Sequence, residues 1–311
     1  MMDPAVHALL YPGFRQIPVT VRDVHVGDIA IATTIGGPDT GPAVLLLHGH
    51  PQTRATWHRI AARLVAAGFR VVATDLRGYG DSSKPEGGPN HINYSKRRMA
   101  ADQFAVMQQL GIDTFAVVGH DRGGRVAHRL ALDFPKQVER VVMVDLMPTT
   151  VMYASTDKDF ATRYFWWFFL IQPFDLPERM IGADPAYFLD RHINKGQVKL
   201  QGTIDPRVYA EYLRCYQLPG TIHAICEDYR AGASIDLEHD AADASSRITV
   251  PVLALWGGRG TLGQYPDVLA SWKTKANDVK GTAIDCGHLL QEELPDAMTA
   301  ELLPFLKAGR A

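Results

Sequence analysis

The segment around Asp121 constrains the fold of this chain more than any other. Residues 115–118 are an apolar run that is typical of a fully buried parallel strand. Gly119, Asp121 and Gly123 follow in a Gly-x-Asp-x-Gly pattern, and residues 126–132 then show helical spacing. The glycines permit a tight strand-to-helix turn because they carry no Cβ to crowd the central residue. We therefore predict that Asp121 projects from a sheet, at the positive end of a helix.

A carboxylate at this turn limits the chemistry that the turn can perform. An aspartate side chain is ionised at neutral pH and needs no base to remove a proton before it attacks. It can attack a saturated carbon and form an ester with the protein, which suits alkyl transfer from halides or epoxides. The alternative is that Asp121 is a structural residue that caps the helix after it.

Composition narrows the class of protein and its partners. The 311 residues are 46% hydrophobic and 21% charged, which is sufficient for one large α/β domain with an inserted subdomain. The net charge is −2 and no basic tract is present, so we expect no nucleic-acid partner. The longest apolar run, Tyr164 to Ile171, is too short to cross a membrane, and the first residues do not resemble a signal peptide. Three cysteines without metal-ligand spacing indicate reduced thiols, so we expect a cytoplasmic protein.

Strand and helix patterns divide the chain into three parts. Buried strand patterns alternate with helical ones over residues 44–145 and resume at residues 250–257, which predicts a mostly parallel sheet with helices on both faces. Residues 14–33 predict an antiparallel hairpin at the edge of that sheet. Residues 148–236 are rich in aromatic residues and have no buried strand pattern. We predict a core over residues 1–147 and 237–311, a helical cap over 148–236, and a ligand pocket between the two.

A covalent mechanism also needs a base and a group that orients the base. His288 ends the last predicted strand, and the order nucleophile, acid, histidine fits a fold of this kind. We predict Asp145 as the orienting acid, because it ends the strand after the one that leads to Asp121 and because residues 258–263 contain no carboxylate. Asp285 is the weaker choice, since a residue three positions before the histidine points poorly towards its ring.

Two further groups are predicted to contact a ligand. The backbone N–H groups of His50 and Arg122 are placed to hold an oxyanion, whereas the His50 side chain is either a ligand contact or an ordinary loop histidine. Arg122 and Arg125 are three residues apart on the first turn of the helix and therefore share a face. Their guanidinium groups suit a substrate carboxylate. The alternative is that one of them only pairs with Asp121 or a neighbouring acid.

Several motifs together resemble the haloacetate dehalogenases, fluoroacetate dehalogenases among them, of the α/β-hydrolase superfamily. The resemblance covers nearly the whole chain, and the Asp-Arg turn with its second arginine is the most specific part of it. The motifs are His48-Gly49-x-Pro51-Gln52, residues 75–82 (DLRGYGDS), residues 119–125 (GHDRGGR), Asp145-x-x-Pro148-Thr149, Gln172-Pro173, residues 226–233 (CEDYRAGA) and Gly287-His288.

The resemblance implies an α/β-hydrolase fold and a role for each matching residue. Asp121 is the implied nucleophile, His288 the base that activates water, and Asp145 its partner, while Arg122 and Arg125 hold the substrate carboxylate. The resemblance implies no metal and no organic cofactor. It also implies that the protein forms a homodimer.

The halide pocket implied by the resemblance differs from the family pattern. Trp167 and Tyr229 match the tryptophan and tyrosine of that pocket, but Trp166 stands where the family has histidine. His50 stands where the family commonly has an aromatic residue. Fluoride is strongly hydrated and needs several hydrogen-bond donors as it leaves, so we expect chloride or bromide to be the better leaving group.

The resulting hypothesis is a hydrolase that converts short 2-halo acids to 2-hydroxy acids and halide. An epoxide hydrolase with the same Asp-His-Asp set is the first alternative, with Tyr229 and a second cap tyrosine as the proton donors. A ligand-binding protein that keeps the fold without catalysis is the second.

Overall fold

The computed structural model describes residues 1–194, 203–265 and 267–309. Within these residues, eight strands form one sheet with the order β1-β2-β4-β3-β5-β6-β7-β8. The hairpin β1–β2 and the pair β2–β4 are antiparallel, and all other neighbours are parallel. The predicted mostly parallel sheet with an antiparallel edge hairpin is therefore confirmed. The strands are β1 (Arg15–Asp23), β2 (Gly27–Gly36), β3 (Ala43–Leu47), β4 (Arg70–Thr74), β5 (Phe115–His120), β6 (Val138–Val144), β7 (Val252–Gly257) and β8 (Val279–Ile284).

The central strands are apolar along their whole length because both faces of a parallel sheet are covered. Every residue of β3 and of β5 is buried, whereas most of the edge strand β8 is partly exposed. The apolar run at residues 115–118 is thus the first part of β5, which continues to His120. These central strands end side by side, which brings the loops that follow them to one edge of the sheet.

Helices cover the sheet and fill the interval between β6 and β7. Helix α3 packs against α4, and α2 packs against α15. The helices are α1 (Pro4–Leu10), α2 (His58–Ala66), α3 (Lys96–Gln109), α4 (Arg122–Asp133), α5 (Thr149–Ala154), α6 (Lys158–Arg163), α7 (Phe165–Phe169), α8 (Leu176–Ala183), α9 (Pro185–Asn194), α10 (Pro206–Tyr216), α11 (Thr221–Ala233), α12 (Ile235–Ala242), α13 (Val268–Lys273), α14 (Leu290–Glu293) and α15 (Pro295–Lys307).

The segment between β6 and β7 contributes helices α5 to α12. Residues 195–202, which fall in the predicted segment 148–236, lie outside the described residues. Two loops at the carboxyl ends of strands contact these helices. The Tyr79 hydroxyl, after β4, donates to Asp228 of α11 at 2.7 Å, and Gln52, after β3, donates to the hydroxyl of Tyr212 on α10 at 3.4 Å. The helical segment therefore lies over the edge of the sheet where Asp121 is found.

Among the described residues, no helix combines the length and the apolar character that a membrane crossing requires.

Candidate active site

Asp121 occupies the turn between β5 and α4 with a positive φ of 49°. The flanking glycines are required by close backbone approach. A Cβ on Gly119 would lie 2.4 Å from the carbonyl oxygen of Gly123, and a Cβ on Gly123 would lie 2.4 Å from that of His48. The turn has the predicted form, and it lifts the Asp121 side chain out of the strand.

The loop after β3 approaches the Asp121 carboxylate closely. The backbone N–H of His50 donates to Asp121 Oδ1 at 3.0 Å. A Cβ on Gly49 would lie only 2.5 Å from Asp121 Cβ, so this position has no room for a side chain. Arg122 is the first residue of α4, where backbone N–H groups have no partner within the helix. The predicted donor at residue 50 is therefore directed at one oxygen of the carboxylate.

His288 and Asp145 form the second part of the site. His288 Nδ1 is hydrogen-bonded to Asp145 Oδ2, and Asp145 Oδ1 accepts the backbone N–H of Gly257 at 2.8 Å. Asp145 also has a positive φ, 55°, at the end of β6. Asp285 is 88% exposed and pairs with Arg259. Asp145 and Asp285 were the two candidates for the orienting acid, and Asp145 is the one in contact with the His288 ring.

The charge of Asp121 is determined by its surroundings. Burial would raise the pKa of Asp121, but electrostatic interactions with His288, Arg122 and Arg125 outweigh burial and lower that pKa below its ordinary value. The carboxylate is therefore ionised at neutral pH, as a nucleophile must be.

Arg122 is held by an acid from the helical segment. Its Nε donates to Asp228 Oδ2 at 2.8 Å and its Nη2 to Asp228 Oδ1 at 2.9 Å. Asp228 is also bound by Lys96 and by the Tyr79 hydroxyl. Burial alone would raise the pKa of Asp228, but the positive charges of Arg122 and Lys96 have the larger effect and lower that pKa below its ordinary value. The alternative that one arginine pairs with a neighbouring acid thus applies to the edge of the Arg122 guanidinium that Nε and Nη2 form.

Arg125 is a buried cation of a different kind. Its side chain is 5% exposed, and its Nη1 donates to the carbonyl oxygen of Met147 at 3.1 Å and to the hydroxyl of Thr149 at 2.7 Å. Among the described residues it forms no ion pair with a carboxylate. Burial and the nearby Arg122 lower the pKa of Arg125. A buried guanidinium with neutral partners favours a bound anion.

The residues of the predicted halide pocket surround these two arginines. The guanidinium of Arg122 lies 4.3 Å from the ring centroid of Tyr229, and that of Arg125 lies 4.7 Å from the ring centroid of Trp167. The two rings are 6.4 Å apart. The Tyr229 hydroxyl is 3.3 Å from Nδ1 of His50, so the His50 side chain belongs to the same cluster.

Trp166 enters the cluster through a histidine that the sequence did not single out. The rings of Trp166 and His192 are 4.7 Å apart, and the rings of His192 and His50 are 4.5 Å apart. His192 therefore brings a second imidazole to this side of the site. It lies on α9 with no motif around it, so no sequence signal would have identified it.

His120 and Asp228 are two further residues whose importance the sequence did not reveal. His120 Nε2 is 2.9 Å from the carbonyl oxygen of His288, and burial lowers the pKa of His120 to about 3, so its ring is neutral. The position of His120 directly before Asp121 in the sequence could have indicated that it lies at the site. Asp228 lies in the CEDYRAGA motif, but its pairing with Arg122 depends on how α11 packs on α4.

One cluster of potential metal ligands lies away from Asp121. The ligand atoms of Asp81, Glu211 and Cys215 lie within 4.8 Å of one another. Arg214 Nη2 donates to Asp81 at 2.8 Å and to Glu211 at 2.7 Å, so a guanidinium already supplies the cation that these acids need.

Comparison with known proteins agrees with this arrangement. A family model described as the α/β hydrolase fold matches residues 42–295. A fluoroacetate dehalogenase from Burkholderia sp is 39% identical over 302 residues, which cover 97% of each chain. A soluble epoxide hydrolase from Corynebacterium sp. (strain C12) is 35% identical over 273 residues, 86% of this chain and 90% of that protein.

A solved structure is similar over the same length. The crystal structure of ALR0039 from Nostoc sp PCC 7120 has 50% identity and a TM-score of 0.89, covering 94% of this chain and 99% of that one. With the family model, the relatives, the mostly parallel sheet and the turn at Asp121 in agreement, the chain is a hydrolase that belongs to the α/β-hydrolase family.

Proposed function

We propose that this protein hydrolyses short 2-halo acids to 2-hydroxy acids and halide through an ester on Asp121. The observation that carries the proposal is Arg125, a buried guanidinium that has no carboxylate partner in the described part of the chain and lies one helical turn from an ionised Asp121. The carboxylate of a halo acid would supply the missing anion. The 39% identity to a fluoroacetate dehalogenase supports the same substrate class.

The first step displaces the halide. Because Oδ1 of Asp121 accepts the His50 N–H, we assign Oδ2 as the oxygen that attacks the α-carbon. The new C–O bond forms as the carbon–halogen bond breaks, and the halide leaves with the bonding electron pair. Tyr229, Trp167 and Trp166 stabilise the departing halide, while Arg125 and the remaining edge of Arg122 hold the substrate carboxylate.

The second step cleaves the ester. His288 removes a proton from water, and the hydroxide attacks the carbonyl carbon of the Asp121 ester. The former Oδ1 becomes the oxyanion and is stabilised by the N–H groups of His50 and Arg122. Asp145 orients His288 and stabilises its cation. The intermediate collapses by breaking the bond between the carboxyl carbon and the former Oδ2, and the leaving alkoxide takes the proton from His288. This releases the 2-hydroxy acid, restores neutral His288 and leaves one oxygen from water in Asp121.

Residues 148–236 serve in this proposal as a cap over a core of residues 1–147 and 237–311. The cap brings Trp166, Trp167 and Tyr229 to the face of the sheet that carries Asp121.

Epoxide hydrolysis is the second candidate function. It is supported by the 35% identity to a soluble epoxide hydrolase. It is also supported by the Tyr229 hydroxyl, which could donate a proton to the oxygen of an opening epoxide. The two candidates share Asp121, His288 and Asp145, but only the halo acid requires an anion site at Arg125.

The Arg125→Gln substitution separates the two candidates. We expect the unchanged protein to release halide from chloroacetate and bromoacetate faster than from fluoroacetate. Losing one or two charge-assisted bonds, about 1.5–3 kcal/mol each, lowers kcat/KM for chloroacetate by about 10- to 150-fold or more. Halide release and diol formation from styrene oxide are the two measurements.

The matched control is Arg15→Gln, which removes an exposed arginine on the edge strand and leaves both activities unchanged. Diol formation by the unchanged protein without halide release from any of the three halo acids would reject the dehalogenase and favour the epoxide hydrolase.

A further inference from the structure

We propose that Glu293 is a positioning residue for His288, because its carboxylate binds the two peptide N–H groups on either side of that histidine. Glu293 Oε2 accepts the N–H of Gly287 at 2.7 Å, and Oε1 accepts the N–H of Leu289 at 2.9 Å. The kinetic part of the inference rests on the proposed function, and the spectroscopic part does not.

His288 needs such support because it lies outside regular secondary structure. Strand β8 ends at Ile284 and α14 begins at Leu290, so His288 lies in the connecting loop. Backbone donors of a loop have no ladder partner and must be satisfied by side chains or water. The side chain of His288 is 26% exposed, so packing alone does not immobilise it. The direction of its ring therefore depends on how firmly this loop is held.

Glu293 lies in the turn that follows the His288 loop, and its backbone is hydrogen-bonded to that loop. The N–H of Glu293 donates to the carbonyl oxygen of Leu289 at 2.8 Å, which fixes the start of its side chain relative to the loop. On the opposite side, His120 Nε2 contacts the carbonyl oxygen of His288 at 2.9 Å. One carboxylate and one imidazole thus hold two peptide groups, the one that ends in the Gly287 N–H and the one that joins His288 to Leu289.

Gly287 is the residue that makes this contact possible. A Cβ at position 287 would lie 2.8 Å from Glu293 Oε1 and 3.1 Å from Oε2. A side chain here would push the carboxylate away from the two N–H groups. The glycine before the histidine is therefore explained by the approach of Glu293.

The two chemical steps give this role a specific signature. Ester formation transfers no proton to His288, whereas ester cleavage needs His288 to remove a proton from water. A loosened His288 slows the second step and leaves the first unchanged, so the Asp121 ester accumulates. A general loss of folded protein lowers both steps together and accumulates no ester.

The first experiment measures chloroacetate turnover by Glu293→Ala and Glu293→Gln. We expect a burst of about one chloride per protein, followed by steady-state release that is about 10- to 100-fold slower than in the unchanged protein. Mass spectrometry of the Asp121 peptide shows the carboxymethyl ester. Glu293→Gln, which keeps one acceptor oxygen, is slowed less. The matched control, Glu301→Gln on an exposed position of α15, behaves like the unchanged protein.

The second experiment needs no substrate. The proton between His288 Nδ1 and Asp145 is followed by NMR downfield of the amide region, with Asp145→Asn as the variant that lacks it. We expect this resonance to broaden or disappear in Glu293→Ala and in Gly287→Ala, and to persist in Glu301→Gln.

The outcomes separate the two proposals. Retained resonance together with unaltered turnover in Glu293→Ala overturns the positioning role, as does an equal decrease of both steps without ester. Loss of the resonance in the variant, together with no halide release by the unchanged protein, supports the positioning role and rejects the halo acid as substrate.

Discussion

The ionised state of Asp121 is a property of its neighbours. An aspartate ordinarily has a pKa of about 3.9. Because the surrounding positive groups lower the pKa of Asp121 below that value, the carboxylate stays ionised at every pH above about 4. Acidification to about pH 4 therefore leaves the proposed nucleophile ionised, and the proposed first step does not depend on a proton that His288 must accept.

A single-turnover experiment tests this separation. With the protein in excess over chloroacetate, we expect the rate constant of chloride release to agree within about twofold at pH 5.5 and pH 8, since Asp121 is ionised at both. In heavy-oxygen water at pH 8, one labelled oxygen appears in Asp121 after the first turnover. Asp121→Asn, tested before spontaneous deamidation, releases no chloride. Label that appears first in the hydroxy acid would contradict the covalent step.

At the scale of elements, one ion pair joins helix α4, which follows Asp121, to helix α11 of the helical segment. Arg122 on α4 and Asp228 on α11 are both buried, and Lys96 on α3 binds the same carboxylate. Separating α11 from α4 would take the buried Arg122 guanidinium away from the carboxylate that it pairs with. We therefore expect substrate to enter and leave while these two helices stay in contact.

The Asp228→Asn substitution measures how strongly this contact stabilises the fold. The amide leaves the buried Arg122 without a counter-charge and leaves Lys96 with Asp236 as its one acidic partner among the described residues, so we expect the free energy of unfolding to fall by about 3–5 kcal/mol. Urea unfolding provides the measurement. The matched control is Asp243→Asn, which breaks partly exposed pairs with Arg97 and Arg129 and costs about 1 kcal/mol or less. Equal unfolding midpoints for the two variants would show that the buried pair is not stabilising.

At the scale of the whole molecule, sequence reasoning succeeded where the signal was local. The turn at Asp121 was predictable because glycine spacing determines which backbone can form there. The sheet was predictable because parallel strands buried on both faces must be apolar throughout. Asp145 could be placed because strand ends meet at one edge of the sheet and because the competing loop has no carboxylate.

Long-range pairings could not be predicted in this way. Asp228 is 106 positions from Arg122, and nothing near either residue specifies the other. The approach of His192 to Trp166 likewise depends on the packing of short helices. Glu293 was overlooked because its function is to bind backbone N–H groups, which leave no pattern in a sequence. The residues proposed to perform the chemistry were therefore more predictable than those that hold them.

Buried histidines make the stability of the whole molecule depend on pH. Burial lowers the pKa of His58 to about 4 and those of His120 and His128 to about 3, against about 6.5 in an unfolded chain. The unfolded state therefore binds more protons below pH 6.5. Stability is complete above that pH and is lost as the pH falls from about 6.5 towards 3.

We expect a loss of about 1–2 kcal/mol per histidine between pH 7 and pH 5, read from urea midpoints. His128→Leu should reduce this dependence, because it removes a buried imidazole whose Nε2 has no hydrogen-bond partner among the described residues. The exposed His25→Leu serves as control and leaves the slope unchanged. An identical slope in His128→Leu would show that its ring takes up a proton in the folded state.

The backbone at the two acidic residues has a consequence for how this protein tolerates change. Asp121 and Asp145 both occupy the left-handed region, which residues with a Cβ enter at a cost of about 1–3 kcal/mol each. Glycine would relieve that cost at either place, but it would remove a carboxylate that the proposed chemistry needs. Selection for thermal robustness alone would therefore drive the chain towards an inert scaffold, and only selection for turnover keeps the two carboxylates where they are.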